Sequence, residues 1–170
     1  MRLLFLVAIC CLATTTFAQK PPQTNVYVFD LEQVTDNEWQ FKNPRYLTYF
    51  NKNGYNNQPK FFDNDKLYLT VQFPYEDQPE LYLLNLKDNT KIRVTDTREG
   101  EYSPTLTPNK NYFSAVRVEA DANKTQRLWE FPVSRRDNGK PVFKYITGIG
   151  YHHWLNNSEV ALLWWTTLII

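Results

Sequence analysis

The chain has 170 residues, 16% of them aromatic, with 5 glycines and a formal charge of +1. That length fits one domain with a sizeable core, and the aromatic excess suits pleated sheet better than helix. The near-neutral balance argues against nucleic acid, whose capture rests on phosphate neutralisation, and the lack of low-complexity tracts argues against a wholly disordered chain.

Residues 1–18, MRLLFLVAICCLATTTFA, place Arg2 before an apolar run from Leu3 to Ala13, with Thr16 and Ala18 at the −3 and −1 positions of a cleavage site. This is the pattern of a secretory signal peptide cleaved after Ala18, and the run is well short of the ~20 residues needed to span a bilayer. Ile9 precedes Cys10 where a lipidation site would carry a small residue. Cleavage removes Cys10 and Cys11, so the mature chain has no disulfide, thiol nucleophile or thiolate metal site. It also removes Arg2, leaving eighteen basic residues against eighteen acidic ones.

Residues 19–24, QKPPQT, read as a flexible lead, and 25–170 as a single domain. Within it, short alternating runs are separated by clusters of Asn, Asp, Gly and Pro, and no segment has a helical period, so the mature chain reads as nearly all β. Three runs resemble one another: NVYVFDL at 25–31, ELYLLNL at 80–86 and RLWEFPV at 127–133, with spacings of 55 and 47. A second element starts at Tyr55 and again at Tyr102, with a weaker copy at Tyr151 that lacks the proline; these tyrosines are 47 and 49 residues apart. A period in the high forties with four strands in each unit is the signature of propeller blades. In the middle unit the strands are expected at 103–107, 112–119, 126–133 and 141–147. Pro104 and Pro108 then fall in or beside the innermost strand, whose free edge tolerates a missing ladder donor.

The stretch YSPTLTPNKNYFSAVRVE resembles the repeat of TolB-like β-propellers, WD-repeat-like modules common in bacterial envelope proteins. Ser103-Pro104, Pro108, Asn109-Lys110 and Arg117 carry the resemblance, with Asn109-Lys110-Asn111 in place of an Asp-Gly turn. The copies at 55–71 and 151–163 depart further. The resemblance implies an exported, periplasmic or envelope-associated module that binds another protein and needs no cofactor. Propellers close with about four to eight blades, whereas the mature chain holds two full units and two partial ones. Together with the apolar ending ALLWWTTLII, this leads us to expect a truncated or frame-shifted copy of a longer propeller. The competing expectation is the non-catalytic propeller of a longer hydrolase of the prolyl-oligopeptidase type, or a propeller enzyme with catalytic residues beyond residue 170. Sequence downstream of Ile170 would separate the two.

Residues that could carry chemistry are few. His152 and His153 are adjacent on an expected strand and point to opposite faces, so they do not share a metal ion. Ser103, Ser114, Ser134 and Ser158 show no nucleophile elbow and no base positioned beside them, and GIG at 148–150 is a turn before a strand. Asp63 and Asp65 lack the later glutamate of a calcium loop and read as turn residues, while DTREGE at 96–101 and EADAN at 119–123 read as acidic loops. Asn123-Lys124-Thr125 and Asn156-Asn157-Ser158 would be glycosylation acceptors only in a eukaryotic secretory pathway. Trp39, Trp129, Trp154, Trp164 and Trp165 are expected to pack between blades. The candidate binding site is the channel rim, where Tyr55, Tyr102 and Tyr151 begin equivalent inner strands with Gln58, Ser103 and His152 beside them.

Overall fold

A computed structural model describes residues 20–135 and 137–165. The signal peptide with its cleavage after Ala18, and the ending at Ile170, lie outside the described residues. The described chain is all-β apart from one 3-10 turn at Tyr49–Asn51. It forms the hairpin β1 (Tyr27–Thr35) and β2 (Glu38–Tyr46), then β3 (Tyr55–Phe61), β4 (Lys66–Gln72), β5 (Glu80–Asn85) and β6 (Thr90–Arg93). Next come β7 (Gly100–Leu106), β8 (Tyr112–Val118), β9 (Gln126–Pro132) and β10 (Lys140–Pro141), and last the hairpin β11 (Ile149–Trp154) and β12 (Val160–Trp164). Strands β3–β6 and β7–β10 make two four-stranded antiparallel sheets in which chain neighbours are sheet neighbours. These are the blades of a partial β-propeller, flanked by the two hairpins.

Local chemistry explains the repeat. The turn after each innermost strand is closed by a side-chain carbonyl or carboxylate. Asp63 Oδ1 accepts from the Asp65 amide at 2.8 Å, Asn109 Oδ1 from Asn111 at 3.0 Å and Asn156 Oδ1 from Ser158 at 2.9 Å. In the middle turn the left-handed residue is Lys110, with φ 58, rather than an asparagine. Leu67–Val71 pairs with the strand carrying Lys60 and Phe61, and Thr105 and Leu106 lie opposite Ser114 and Phe113, as the repeat requires. Strand β7 is an edge strand, so Pro104 inside it and Pro108 beyond its end cost no central ladder bond. The register shifts between Tyr102 and Thr105, and correspondingly between Asn57 and Lys60. The residue before each proline, Gln58 or Ser103, has φ 55. The two bulges are thus the same device used twice.

The expected fourth strand at 141–147 is shorter, ending at Pro141. Proline there gives no ladder donor, and Val142 and Phe143 turn inward to pack on Val116, Leu128 and Ile149.

Both faces of each blade are covered, which is why β4 and β8 are buried at five consecutive residues. Leu67, Leu69 and Val71 face Val26 and Val28 of the first hairpin, whereas Tyr68 faces Phe113, Ala115 and Phe131 of the second blade. Val116 and Leu128 in turn meet Ile149, Trp154, Val160 and Leu162 of the last hairpin. Between the two blades the sheet backbones approach most closely at β7, which touches β3, β4 and β5, and on its other side the second blade meets β11 through β9, β8 and β7. The tryptophans divide. Trp129 and Trp154 pack on these clusters as expected, but Trp39 and Trp164 on the terminal hairpins and Trp165 just past β12 are 54%, 62% and 63% exposed.

Candidate functional site

The three rim tyrosines are not equivalent in register. The matching buried positions of the inner strands are Asn56, Glu101 and Ile149, opposite Val71, Arg117 and Trp164. Tyr55 precedes its reference position, Tyr102 follows directly, and Tyr151 lies two residues on, in line with Gln58 and Ser103. Tyrosine spacings of 47 and 49 suggest equivalence, but the register of the two blades repeats from Asn56 to Glu101, which is 45 residues, so the tyrosines fall on different positions.

The rings nevertheless meet. Tyr55, Tyr102 and Tyr151 line one cavity of about 270 Å³ together with Gln58, Gln126 and Trp165. Burial raises the Tyr55 and Tyr102 hydroxyl pKa values, so both remain protonated donors at neutral pH. Gln58 ties the site across two blades: its Oε1 accepts from Thr70 Oγ1 at 2.9 Å and from the Ser103 amide at 2.9 Å. Ser103 itself contributes only this amide, its hydroxyl being buried without a partner. A larger cavity of about 650 Å³ adjoins, sharing Tyr55 and Tyr102 and adding a ledge in which Tyr75 stacks on Phe73 at 5.3 Å. Nothing in the sequence pattern singled out that ledge.

His152 is not part of this cavity. Strand alternation turns it away from Tyr151 and toward the second blade, where Nε2 lies 2.7 Å from Ser114 Oγ. So Ser114 does have an imidazole beside it, although sequence spacing gave no sign of one. The pair is nonetheless unsuited to nucleophilic work, because Ser114 is fully buried. Its hydroxyl accepts from Trp154 Nε1 at 2.9 Å and donates to the Thr105 carbonyl at 3.2 Å. With that proton committed, the remaining contact requires the Nε2–H tautomer, leaving the buried Nδ1 lone pair without a partner.

Burial, then the charges of His153 and Lys60, push the His152 pKa from 6.5 down to about 4. The unfolded chain therefore takes up this proton first on acidification. The stability that neutral His152 contributes is complete above 6.5 and is lost as pH falls through that value to about 4. By linkage the loss is about 3 kcal/mol. Urea unfolding followed against pH should show this step in the difference between the parent chain and His152→Asn. A flat difference profile would contradict it.

A second buried polar cluster joins the blades. Glu101, expected in an acidic loop, instead lies buried in β7, where Oε1 accepts from Arg117 Nε at 2.9 Å and Thr97 Oγ1 at 2.8 Å. Glu80 of β5 is also fully buried, and its Oε1 accepts from the Thr97 amide at 3.0 Å and pairs with Arg93 at 3.1 Å. The second oxygen of each carboxylate is buried without a partner. Burial, then the charge of Glu80, holds the Glu101 carboxyl well above the usual carboxylate range. The Arg117 guanidinium lies 4.1 Å from the Trp129 ring centroid and 4.9 Å from that of Phe131. In the sequence Glu101 read as part of an acidic loop, whereas Glu80 fell in the run ELYLLNL and Arg117 at the end of the repeat.

No protein-family model matches this chain, and no curated protein is significantly similar to it. Chemically, the rim cavity offers flat aromatic area, phenolic donors and an amide-bearing wall, a set suited to holding a partner's side chains. Groups of three or more His, Cys, Asp or Glu able to hold a metal do not occur among the described residues.

Proposed function

We propose that this chain is an exported, non-enzymatic, TolB-like β-propeller module that binds a protein partner in the periplasm or cell envelope through its inner-strand rim. The observation that carries the reading is the convergence of Tyr55, Tyr102 and Tyr151, from three successive sheets, on one cavity. Rigid sheets with aromatic residues at one end of their inner strands give a pre-formed surface that loses little conformational entropy on binding. The export pattern of residues 1–18 and the likeness of 102–119 to TolB-like repeats support the compartment.

The test is site-specific photo-crosslinking in envelope extract. A benzoylphenylalanine replacing Tyr151, which is half exposed, should capture one discrete protein, and the same group replacing the more exposed Tyr145 away from the cavity should not. Tyr151→Ala should abolish partner retention with an unchanged unfolding midpoint. Equal capture from both positions, or retention surviving in Tyr151→Ala, would remove the rim from the interface.

A further inference from the structure

Two corresponding segments of the repeat line the larger cavity. The Val26 amide donates to Thr48 Oγ1 at 3.0 Å just as the Leu81 amide donates to Thr95 Oγ1 at 2.9 Å. Residues 20–24 therefore stand before β1 where residues 75–79 stand before β5. The first segment lends Lys20, Pro21 and Gln23 to the cavity of about 650 Å³, and the second lends Tyr75 beside Phe73.

Both segments are fixed before anything binds. Thr24 ties the first to β3: its amide donates to the Gly54 carbonyl at 3.1 Å and its hydroxyl to the Asn56 carbonyl at 2.8 Å. Its own carbonyl accepts from Asn56 Nδ2 at 2.7 Å. Pro21 and Pro22 restrict the backbone before it to extended forms. The second segment starts from a closed turn. Glu76 Oε2 accepts from the Phe73 amide at 3.1 Å, and the Glu76 amide donates to the Phe73 carbonyl at 3.0 Å. Arg93, 3.2 Å from Glu76 Oε1, anchors that turn to β6. Tyr75 is thereby held on Phe73 with 20° between the ring planes, yet it is 79% exposed. A ring so open adds little to the fold and leaves one face for a ligand.

The hydrogen-bonding character of the cleft selects its occupant. Tyr55 Oη accepts from Asn57 Nδ2 at 3.2 Å, so its own proton is free. Tyr55 and Tyr102 line both cavities, and both stay protonated at neutral pH. The cleft thus presents flat rings and hydroxyl donors, which suits a ligand that brings rings and acceptors. An ordinary peptide strand also brings an amide at every residue, and each needs an acceptor. Proline has no amide, its ring packs on aromatic faces, and the polyproline II form leaves its carbonyls exposed. The cavity already accommodates that composition, because Pro21 of the chain itself lines it with Phe73 and Tyr75.

We propose that the cleft takes a proline-rich, polyproline II segment of the partner protein, laid from the Phe73–Tyr75 ledge over Tyr55 and Tyr102 into the rim cavity. This rests on the reading of the rim as a protein-binding surface and names the part of the partner that enters it. A ligand extended in advance, meeting walls fixed in advance, loses little entropy on binding.

Fluorescence anisotropy of labelled decaproline on the purified chain tests the assignment. Saturable binding is expected, and a Gly-Ser peptide of equal length should not bind. Tyr75→Ala should weaken the affinity about tenfold, with an unchanged unfolding midpoint because the ring is exposed. Tyr102→Phe keeps the ring and removes the donor, and should weaken it about fivefold. Tyr145→Ala, outside both cavities, should leave it unchanged. Decaproline that fails to bind at millimolar concentration, or that binds Tyr75→Ala as tightly as the parent, would overturn the proposal. So would equal binding of the Gly-Ser peptide, or saturable binding of a cellulose-type oligosaccharide in place of decaproline. Capture of a protein at Tyr151 is a separate measurement, so the rim can survive as an interface even where the polyproline ligand fails.

Discussion

At alkaline pH, where Glu101 is ionised, replacing Arg117 with alanine should lower the stability of the domain by about 3–5 kcal/mol, the range seen when one partner of a buried ion pair is removed. Arg117 is 4% exposed, and Glu101 beside it is fully buried. Its removal leaves Glu101 beside Glu80 with only the Thr97 hydroxyl donating to it, and takes away the guanidinium that lies over the Trp129 and Phe131 rings. Lysine should recover little, because a single ammonium cannot both stack on two rings and donate along the Nε direction. The deficit also has a pH signature. The folded-state pKa of Glu101 is already raised above 4.5, so its contribution is fully present below that value and is lost as pH rises toward the folded value. Without Arg117 the folded value climbs further, so the variant should be closest to the parent at acidic pH and furthest from it at alkaline pH. Urea unfolding of both proteins across that range measures it. A deficit independent of pH would show that Glu101 does not titrate across that range.

Phe113→Ala should cost a similar amount, about 3–5 kcal/mol, for a different reason. The ring is 1% exposed and stacks at 5.1 Å on Phe131 within its own blade, while Tyr68 of the preceding blade lies 5.1 Å away on the other side. Truncation opens a cavity at the seam between two sheets whose backbones cannot close it without breaking strand register. The loss should appear as a lower urea midpoint with an unchanged slope. Phe113→Leu, which fills most of the volume, should recover more than half of it. A loss below about 1 kcal/mol would mean that the seam collapses freely.

The repeat was readable from the sequence because its two signals are local. Strand alternation shows within seven residues, as in ELYLLNL, and the turn after each inner strand is set by one side chain, Asp63, Asn109 or Asn156. The pairing of Thr105 and Leu106 with Ser114 and Phe113 follows from those two facts alone. What depends on offsets within a strand was not readable. Tyr55 lies three residues before Gln58 but Tyr102 only one before Ser103, so a recurring tyrosine did not mean a recurring position, and alternation then sent His152 away from the rim it was expected to join. Long-range burial was equally hidden. Glu101 sits among polar letters in DTREGE, and its partners Glu80 and Arg117 lie 21 and 16 residues away, on other strands. The tryptophans show the same limit: residue type gave their tendency to pack, but only the presence of a neighbouring sheet decides whether there is anything to pack on.

The three apolar clusters each join one sheet to the next in chain order. Energetically this makes the molecule a one-dimensional stack, in which each layer contributes its own stability and that of the interfaces it shares. Among the described residues each blade shares two interfaces and each hairpin one. Opening is therefore easiest at the termini and proceeds inward, so amide exchange should be fastest in β1, β2, β11 and β12 and slowest in β4 and β8. A stack with two loose ends is also a sensitive one: anything that supplies an interface to an end layer raises the cost of the first opening step, and with it the resistance of the whole chain to proteolysis.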